Sequence, residues 1–197
     1  QAESAYRARD PAGHLPQSFR YPTTLNNFSA PALVAHAVGA AGPTFAISTA
    51  CSSSAKVFAA AARLMRADWI DAAIVGGVDS LCLTTLCGFS ALELLSRDPC
   101  RPFDRARSGI SIGEGAGFAL LEARADAPAY LLGAGESSDA HHMSTPHPEG
   151  LGARLAMERL QHGGLVRSRI QASHVVVQDV QHRVPARNQA VHLRVLQ

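Results

Sequence analysis

A chain of 197 residues with 47% apolar and 17% charged residues is long enough to bury a core, and one domain is the default. Its net charge of +2 is too small to favour nucleic acid or a membrane surface as a partner, and no basic tract or aromatic-basic interleaving adds to it. No apolar run reaches the length of a membrane span. The polar start, Gln1 to Asp10, has no signal-peptide core, and opening on Gln fits a start partway through a longer protein. The four cysteines, Cys51, Cys82, Cys87 and Cys100, form no CxxC pair. Without a secretory signal they are expected as thiols in the cytoplasm.

Residues 1 to about 30 read as loop, punctuated by Pro11, Gly13, Pro16 and Pro22. Ser29 is placed to cap a short helix running from Ala32 to about Val38, with Pro31 just inside it and Gly39 closing it. Thr44 to Ser48 is a strand candidate. An alanine-rich helix is expected from Ala55 to Ala67. Lys56 and Arg63 lie seven residues apart on it and share one side. The rest of its circumference is small or apolar, so it should be mostly buried.

Ala72 to Val78 does not alternate and reads as a strand covered on both faces, with Gly76-Gly77 marking a close backbone approach. Leu81 to Leu95 is helical in part, and Arg101-Pro102-Phe103-Asp104 is a turn. Ile110–Gly113 and Gly115–Glu122 read as two strand segments around a bend. Tyr130–Gly135 is a further strand, Leu151–Gln161 an amphipathic helix, and Ser173–Val180 a last strand. This alternation predicts α/β layers.

The chemistry centres on Cys51. An apolar run feeds a small-residue turn, the thiol follows, and a helix begins. The helix N-terminus offers unpaired N–H groups and the positive end of the macrodipole. Both favour a thiolate, so a lowered cysteine pKa is expected there. The same N–H groups could hold an oxyanion. The bland alternative is a small buried hydrophobe. Ser52 to Ser54 are expected to satisfy N–H groups of the helix's first turn, and Lys56 reads as structural or surface. Gly113-Glu114-Gly115-Ala116-Gly117 fits a tight strand bend better than a phosphate loop, because an apolar strand follows it. His141, His142 and His147 sit near Asp139 and Glu149, the right ligand types for a metal. The spacing is wrong, so a cleft-lining loop with no metal is expected. A cysteine hydrolase using His142 as its base is a further possibility.

Five stretches in order carry a resemblance. They are Ser48-Thr49-Ala50-Cys51-Ser52-Ser53-Ser54, Val75-Gly76-Gly77-Val78-Asp79, Arg101-Pro102-Phe103-Asp104, Gly113-Glu114-Gly115-Ala116-Gly117 and Ser137-Ser138-Asp139-Ala140. Together they resemble the elongating beta-ketoacyl-acyl-carrier-protein synthases, from near Tyr6 to near Leu165. The resemblance implies a thiolase-like αβαβα sandwich, present only in part. It divides the chain into 1–122, the later part of an N-terminal half carrying the nucleophile, 123–165, the start of a C-terminal half, and 166–197, an atypical tail. It implies a decarboxylative Claisen condensation of an acyl thioester with malonyl-acyl-carrier protein in fatty acid or polyketide synthesis. Cys51 matches the nucleophile, and its N–H one oxyanion donor. Phe89 lies near positions lining the acyl pocket, and Met143, Ser144, Thr145 and Pro146 match a loop beside the pantetheine channel. No metal or organic cofactor is implied. Phosphopantetheine arrives on the acyl carrier protein, and a homodimer is implied.

The pattern departs from the family in places. Where a His-Gly-Thr-x-Thr-Pro stretch belongs, the chain has His182 and Pro185 without Gly-Thr between them. A second histidine, its lysine, and about a hundred residues ahead of Tyr6 have no counterpart, and Ser108 stands where Asp is usual. The chain is therefore expected to be incomplete, to leave apolar strand faces exposed, and not to condense alone. The alternative is a non-catalytic partner subunit such as a chain-length factor, against which the retained Cys51 weighs.

Overall fold

The computed structural model describes residues 2–123, 129–142, 145–162 and 170–178, the side chains of 162 and 170–178 excepted. The chain divides into two compact units, one from Gln1–Ser48 and Val78–Ala116, the other from Thr49–Gly77 and Gly117–Val177, each as far as described.

The first unit is mostly helical. Residues expected as loop hold two short helices, α1 (Ala2–Arg7) and α2 (Tyr21–Thr24). In α1 the sequence Ala-Glu-Ser-Ala-Tyr-Arg precedes the first proline, and Glu3 and Arg7 stand at the ends that the helix dipole favours. The next helix, α3 (Ser29–Val38), starts earlier than Ser29-capping requires. Ser29 lies inside it, the N-cap is Phe28, and Asn26 Oδ1 accepts the Phe28 N–H at 3.0 Å. Gly39 closes it with φ 66°, a left-handed stop that glycine takes without strain. Thr44–Ser48 is in no strand, because extended backbone becomes sheet only against a partner, and none pairs with it among the described residues.

After Cys82, helix α5 (Leu83–Ala91) begins where Glu3 reaches across from α1. The Glu3 carboxylate accepts the Thr84 N–H at 2.7 Å and the Thr84 hydroxyl at 3.0 Å. These bonds hold its carboxyl below the usual glutamate range. The Arg101–Asp104 turn is formed as expected, closed by Asp104 N–H to Arg101 O at 3.2 Å. Of the expected segment Ile110–Gly113, only an isolated parallel bridge between Leu95 and Ile110 forms.

The second unit is a helix packed on a sheet. Helix α4 (Ser53–Arg66) crosses strands β1 (Ala72–Asp79) and β2 (Gly115–Glu122). Val57, Phe58, Ala61, Ala62 and Met65 form the helix's apolar stripe, at the i, i+1, i+4 spacing of one face. They pack with Val75 of β1 and with Ala119 and Leu121 of β2, two residues apart and so on the same face. Leu121 is fully buried, which stabilises by about 2 kcal/mol. The alanines let the helix approach the sheet closely. The order of the four described strands is β1-β2-β4-β3, with β3 (Ala129–Leu131) antiparallel to β4 (Ile170–Gln178) in the register Tyr130 to Gln171. Helix α6 (Leu151–His162) completes the unit.

Away from its basic side helix α4 is mostly buried, as expected: Ala59, Ala61, Ala62 and Met65 are buried, and Arg63 and Arg66 are exposed. One expectation needs correction. Strand β1 is covered on one face only, with Ile74 43% exposed and Val78 52%. Its unbroken apolar run suits two covering layers, and among the described residues one layer is present. This matches the expectation that apolar strand faces stand open. Gly76 does sit in the close approach expected of it. A Cβ there would lie 2.3 Å from Gly117 O and 2.3 Å from the Phe118 ring.

Candidate active site

Two features of physical chemistry meet at Cys51: a strained turn and a helix start. The thiol lies in a single 3-10 turn, Ala50–Ser52, that leads directly into α4. Ala50 holds φ at 52°, a left-handed conformation that costs a non-glycine residue about 1 kcal/mol. Such strain persists only where neighbours over-determine it, and it collects at functional sites.

The neighbours here are serines. Ser53 Oγ accepts the Thr49 N–H at 2.8 Å and donates to Ala50 O at 2.7 Å. Ser52 Oγ donates to Thr49 O at 2.9 Å and lies 3.0 Å from Thr49 Oγ1. This corrects the expected capping role. The N-cap is Ser52, and no side chain caps α4. The serine hydroxyls instead fold back onto the turn and fix it. Behind the turn, Gly77 of β1 stands against Ser54, whose Oγ would lie 3.0 Å from a Cβ at position 77. Cys51 itself is exposed, not the buried hydrophobe of the bland alternative. An exposed thiol on a rigid turn at a helix start can attack an electrophilic carbonyl and leave the nearby N–H groups to meet the oxyanion.

Beside α4 lies a carboxylate that the sequence reading passed over. Glu136 Oε1 is 3.3 Å from Lys56 Nζ, and Glu136 Oε2 is 2.7 Å from Arg63 Nη1. Its main-chain oxygen accepts from Arg159 of α6 at 2.5 Å. The Arg63 hydrogen bond, aided by Lys56, holds the Glu136 carboxyl below the usual range. Lys56 and Arg63 do share one side of the helix, as their spacing predicts. That two-cation stripe was the available signal: it calls for an anion, and its spacing does not say which.

Glu136 opens the loop that leads to the other candidates. Ser137 Oγ donates to Gly152 O at 2.5 Å. Asp139 accepts the backbone N–H groups of His141 at 3.1 Å and His147 at 3.0 Å. These bonds, His147 first, hold its carboxyl below the usual aspartate range. The rings of His141 and His147 lie 5.0 Å apart, and His142 Nδ1 accepts the Thr145 N–H at 3.1 Å. Among the described residues no group of three or more His, Cys, Asp or Glu is placed to hold a metal. Thr145 and Pro146 are exposed on this loop, while Met143 and Ser144 lie outside the described residues.

Phe89 belongs to the other unit. It is half-buried on α5. An open depression of about 500 Å³ on that unit is lined by Leu86, Cys87, Ser90, Ala91 and Leu95, so Phe89 is not in its wall. Glu114, in the Gly-rich stretch, accepts the Leu81 N–H at 3.1 Å, a bond that braces the bend. His182 and Pro185, which stand where the family's His-Gly-Thr motif is missing, lie outside the described residues.

Comparison with known proteins places these features. Residues 1–127 match the family model of the beta-ketoacyl synthase N-terminal domain. The chain is 39% identical over 155 residues to chloroplastic 3-oxoacyl-[acyl-carrier-protein] synthase I of Arabidopsis thaliana, covering 72% of this chain and 33% of that protein. It is 32% identical over 169 residues to 3-oxoacyl-[acyl-carrier-protein] synthase 2 of Vibrio harveyi, covering 75% and 41%. Among solved structures, the ketosynthase ApeO in complex with its chain length factor ApeC from Xenorhabdus doucetiae matches with a TM-score of 0.65 and 39% identity, over 80% of this chain and 39% of that one. The ishigamide ketosynthase/chain length factor matches with a TM-score of 0.62 and 30% identity, over 68% and 36%. The α/β layers are thus part of a thiolase-like fold, and the chain spans about a third to two fifths of the length of these relatives.

Proposed function

The chain belongs to the beta-ketoacyl synthase family, and on that premise we propose that it is the part of a condensing enzyme that carries the acyl-accepting nucleophile, Cys51. The observation that carries this reading is the exposed thiol on a strained, serine-braced turn at the start of α4.

In the proposed reaction the Cys51 thiolate attacks the carbonyl of an acyl thioester borne on a carrier protein's phosphopantetheine. The new carbon–sulfur bond forms to Cys51, and the pantetheine thiolate leaves. Malonyl-carrier protein then loses carbon dioxide, its enolate carbon attacks the Cys51 thioester, and the Cys51 thiolate leaves as the carbon–carbon bond closes. The uncapped first turn of α4 supports the first step, since its N–H groups and dipole favour negative charge beside the thiol. The loop carrying Thr145 and Pro146 is the proposed rest for the pantetheine arm. Phe89, with the α5 surface, is the proposed contact for the acyl chain. The chemistry asks for no metal or organic cofactor.

The partners in this reading are an acyl carrier protein and a second chain of the same fold. The relatives solved as ketosynthase and chain length factor pairs support a heterodimer beside the homodimer implied by the motifs. A chain-length-factor role for this chain itself is disfavoured by Cys51. Among the described residues no helix is long and apolar enough to cross a membrane, and we place the protein in the cytoplasm, where its four free cysteines stay thiols.

The test is direct. Incubation with an acyl-carrier thioester should add the acyl mass to the Cys51 peptide, and Cys51→Ala should abolish the adduct. A wild-type Cys51 peptide that stays unmodified would overturn the acyl-transfer step.

A further inference from the structure

Glu136 is the point at which three elements of one unit are joined. Its carboxylate takes Lys56 with one oxygen and Arg63 with the other, at 3.3 and 2.7 Å. Those two cations are seven residues apart on α4, about 10 Å along the helix axis. One ion pair would let the helix pivot. Two pairs spaced along its axis, made to a single carboxylate, fix both its rotation and its axial position. The Glu136 backbone is itself held against α6. Arg159 donates to its carbonyl, and preceding Gly135 is so close that a Cβ there would lie 1.9 Å from Ala156 O. From Glu136 the chain runs without a break into Ser137, pinned to Gly152, and Asp139, which organises the histidine loop. On the other side, Lys56 lies little more than one helical turn beyond Cys51.

We propose that Glu136 is a positioning residue, which holds the helix of Cys51 in register with the loop carrying Thr145 and Pro146 so that the thiol and an incoming pantetheine arm meet; the catalytic part of this rests on the acyl-transfer reading above. Lys56, the chain's single lysine, is the cation nearest the thiol in sequence and transmits the tie. Glu136 acts through α4 and the loop, and takes no part in bond making.

The experiment compares wild type with Glu136→Gln, Lys56→Met and Lys56→Arg. Both positions are partly solvated, so the variants should keep the fold, which their far-ultraviolet spectra check. The first readout is amide hydrogen exchange of the peptide 137–142, which needs no acyl donor. Glu136→Gln and Lys56→Met should each speed it about threefold, the scale of a partly exposed ion-pair network, and Lys56→Arg should not. The second is acylation of Cys51 by an acyl-pantetheine. The half-saturating donor concentration should rise about threefold with the limiting rate within about twofold, while iodoacetamide, too small to need the loop, alkylates Cys51 as before. Exchange in 137–142 that ignores Lys56→Met would overturn the tie. Unchanged half-saturation, or iodoacetamide reactivity that falls with acylation, would overturn the positioning role. A wild-type chain that takes no acyl group while Lys56→Met still loosens 137–142 would overturn the acyl-transfer reading and leave the tie standing.

Discussion

Ser53 reaches back over the cysteine turn to Thr49, accepting its N–H at 2.8 Å while donating to Ala50 O at 2.7 Å. One hydroxyl thereby closes the turn from both sides and holds Ala50 at its positive φ. Ser53→Ala removes both bonds and leaves the strain unopposed. A loss of about 1 kcal/mol in stability is expected, read from the midpoint of urea unfolding. Because the turn sets where the thiol points, alkylation of Cys51 should change more than that of exposed Cys87 or Cys100. Equal changes at all three would mean that Ser53 supports the fold and not the turn.

The pair Gly76 and Gly117 gives a sharper test, with an internal control. An added Cβ at Gly76 meets Gly117 O and the Phe118 ring at 2.3 Å, and the obstacle includes backbone, which cannot swing aside. Gly76→Ala should cost about 3 kcal/mol or more, as overpacking does when nothing relaxes. Gly88, in the middle of α5, has no atom within 4 Å of an added Cβ. Gly88→Ala should stabilise by about 0.5–1 kcal/mol by limiting the unfolded chain. Thermal unfolding of the two variants should therefore shift in opposite directions.

Those two glycines also show what a sequence can and cannot carry. Gly76 was legible because a glycine pair inside an unbroken apolar strand has few other uses. The Cys51 turn was legible because small residues, a thiol and a helix follow one another locally. The Gly39 stop and the Arg101–Asp104 turn are local as well. What failed to show was pairing at a distance. Thr44–Ser48 has strand composition, and nothing pairs with it among the described residues. Ile74 has core composition, and no described layer covers it. Glu3 meets Thr84 across 81 positions, and its helix lay in a segment that read as loop because prolines follow it.

The site divides along the same line. Local chemistry pointed to Cys51, but the serines were given the wrong partners. A serine at a helix start can cap N–H groups ahead of it or fold back onto the turn behind it, and composition does not choose. Glu136 was missed because its cations come from α4, 73 to 80 residues earlier (Arg63 is the nearer). The counterpart of that miss is a prediction at Gly135. A Cβ at this position would lie 1.9 Å from Ala156 O and 2.9 Å from Leu160 N, so Gly135→Ala must push the adjoining Glu136 off α6. It should reproduce the faster exchange of Glu136→Gln in 137–142, with Lys56 and Arg63 untouched. If exchange speeds up only within α6, the close approach serves packing alone.

Acid should expose the carboxylates that the fold has recruited. Glu136, Asp139, Glu3 and Asp10 all titrate below their ordinary ranges in the folded chain, held chiefly by Arg63, by the His147 amide, by the Thr84 amide and by the His14 amide respectively. The sign follows from proton counting. In the window between the lowered folded values and the ordinary ones, about pH 4, the unfolded chain binds more protons than the folded chain, so stability rises with pH. The contribution is fully present above the ordinary carboxylate range and is lost as the pH falls through the lowered values. Urea midpoints should be level with respect to these groups from pH 7 to about pH 5 and then fall steadily toward pH 3. Glu136→Gln should flatten part of that fall, because an amide cannot take up the proton that breaks the Lys56 and Arg63 pairs. Salt should narrow the difference between wild type and Glu136→Gln at pH 7, since these pairs are only half withdrawn from water. A variant whose acid slope equals that of wild type would show that Glu136 is not paired with its cations in solution.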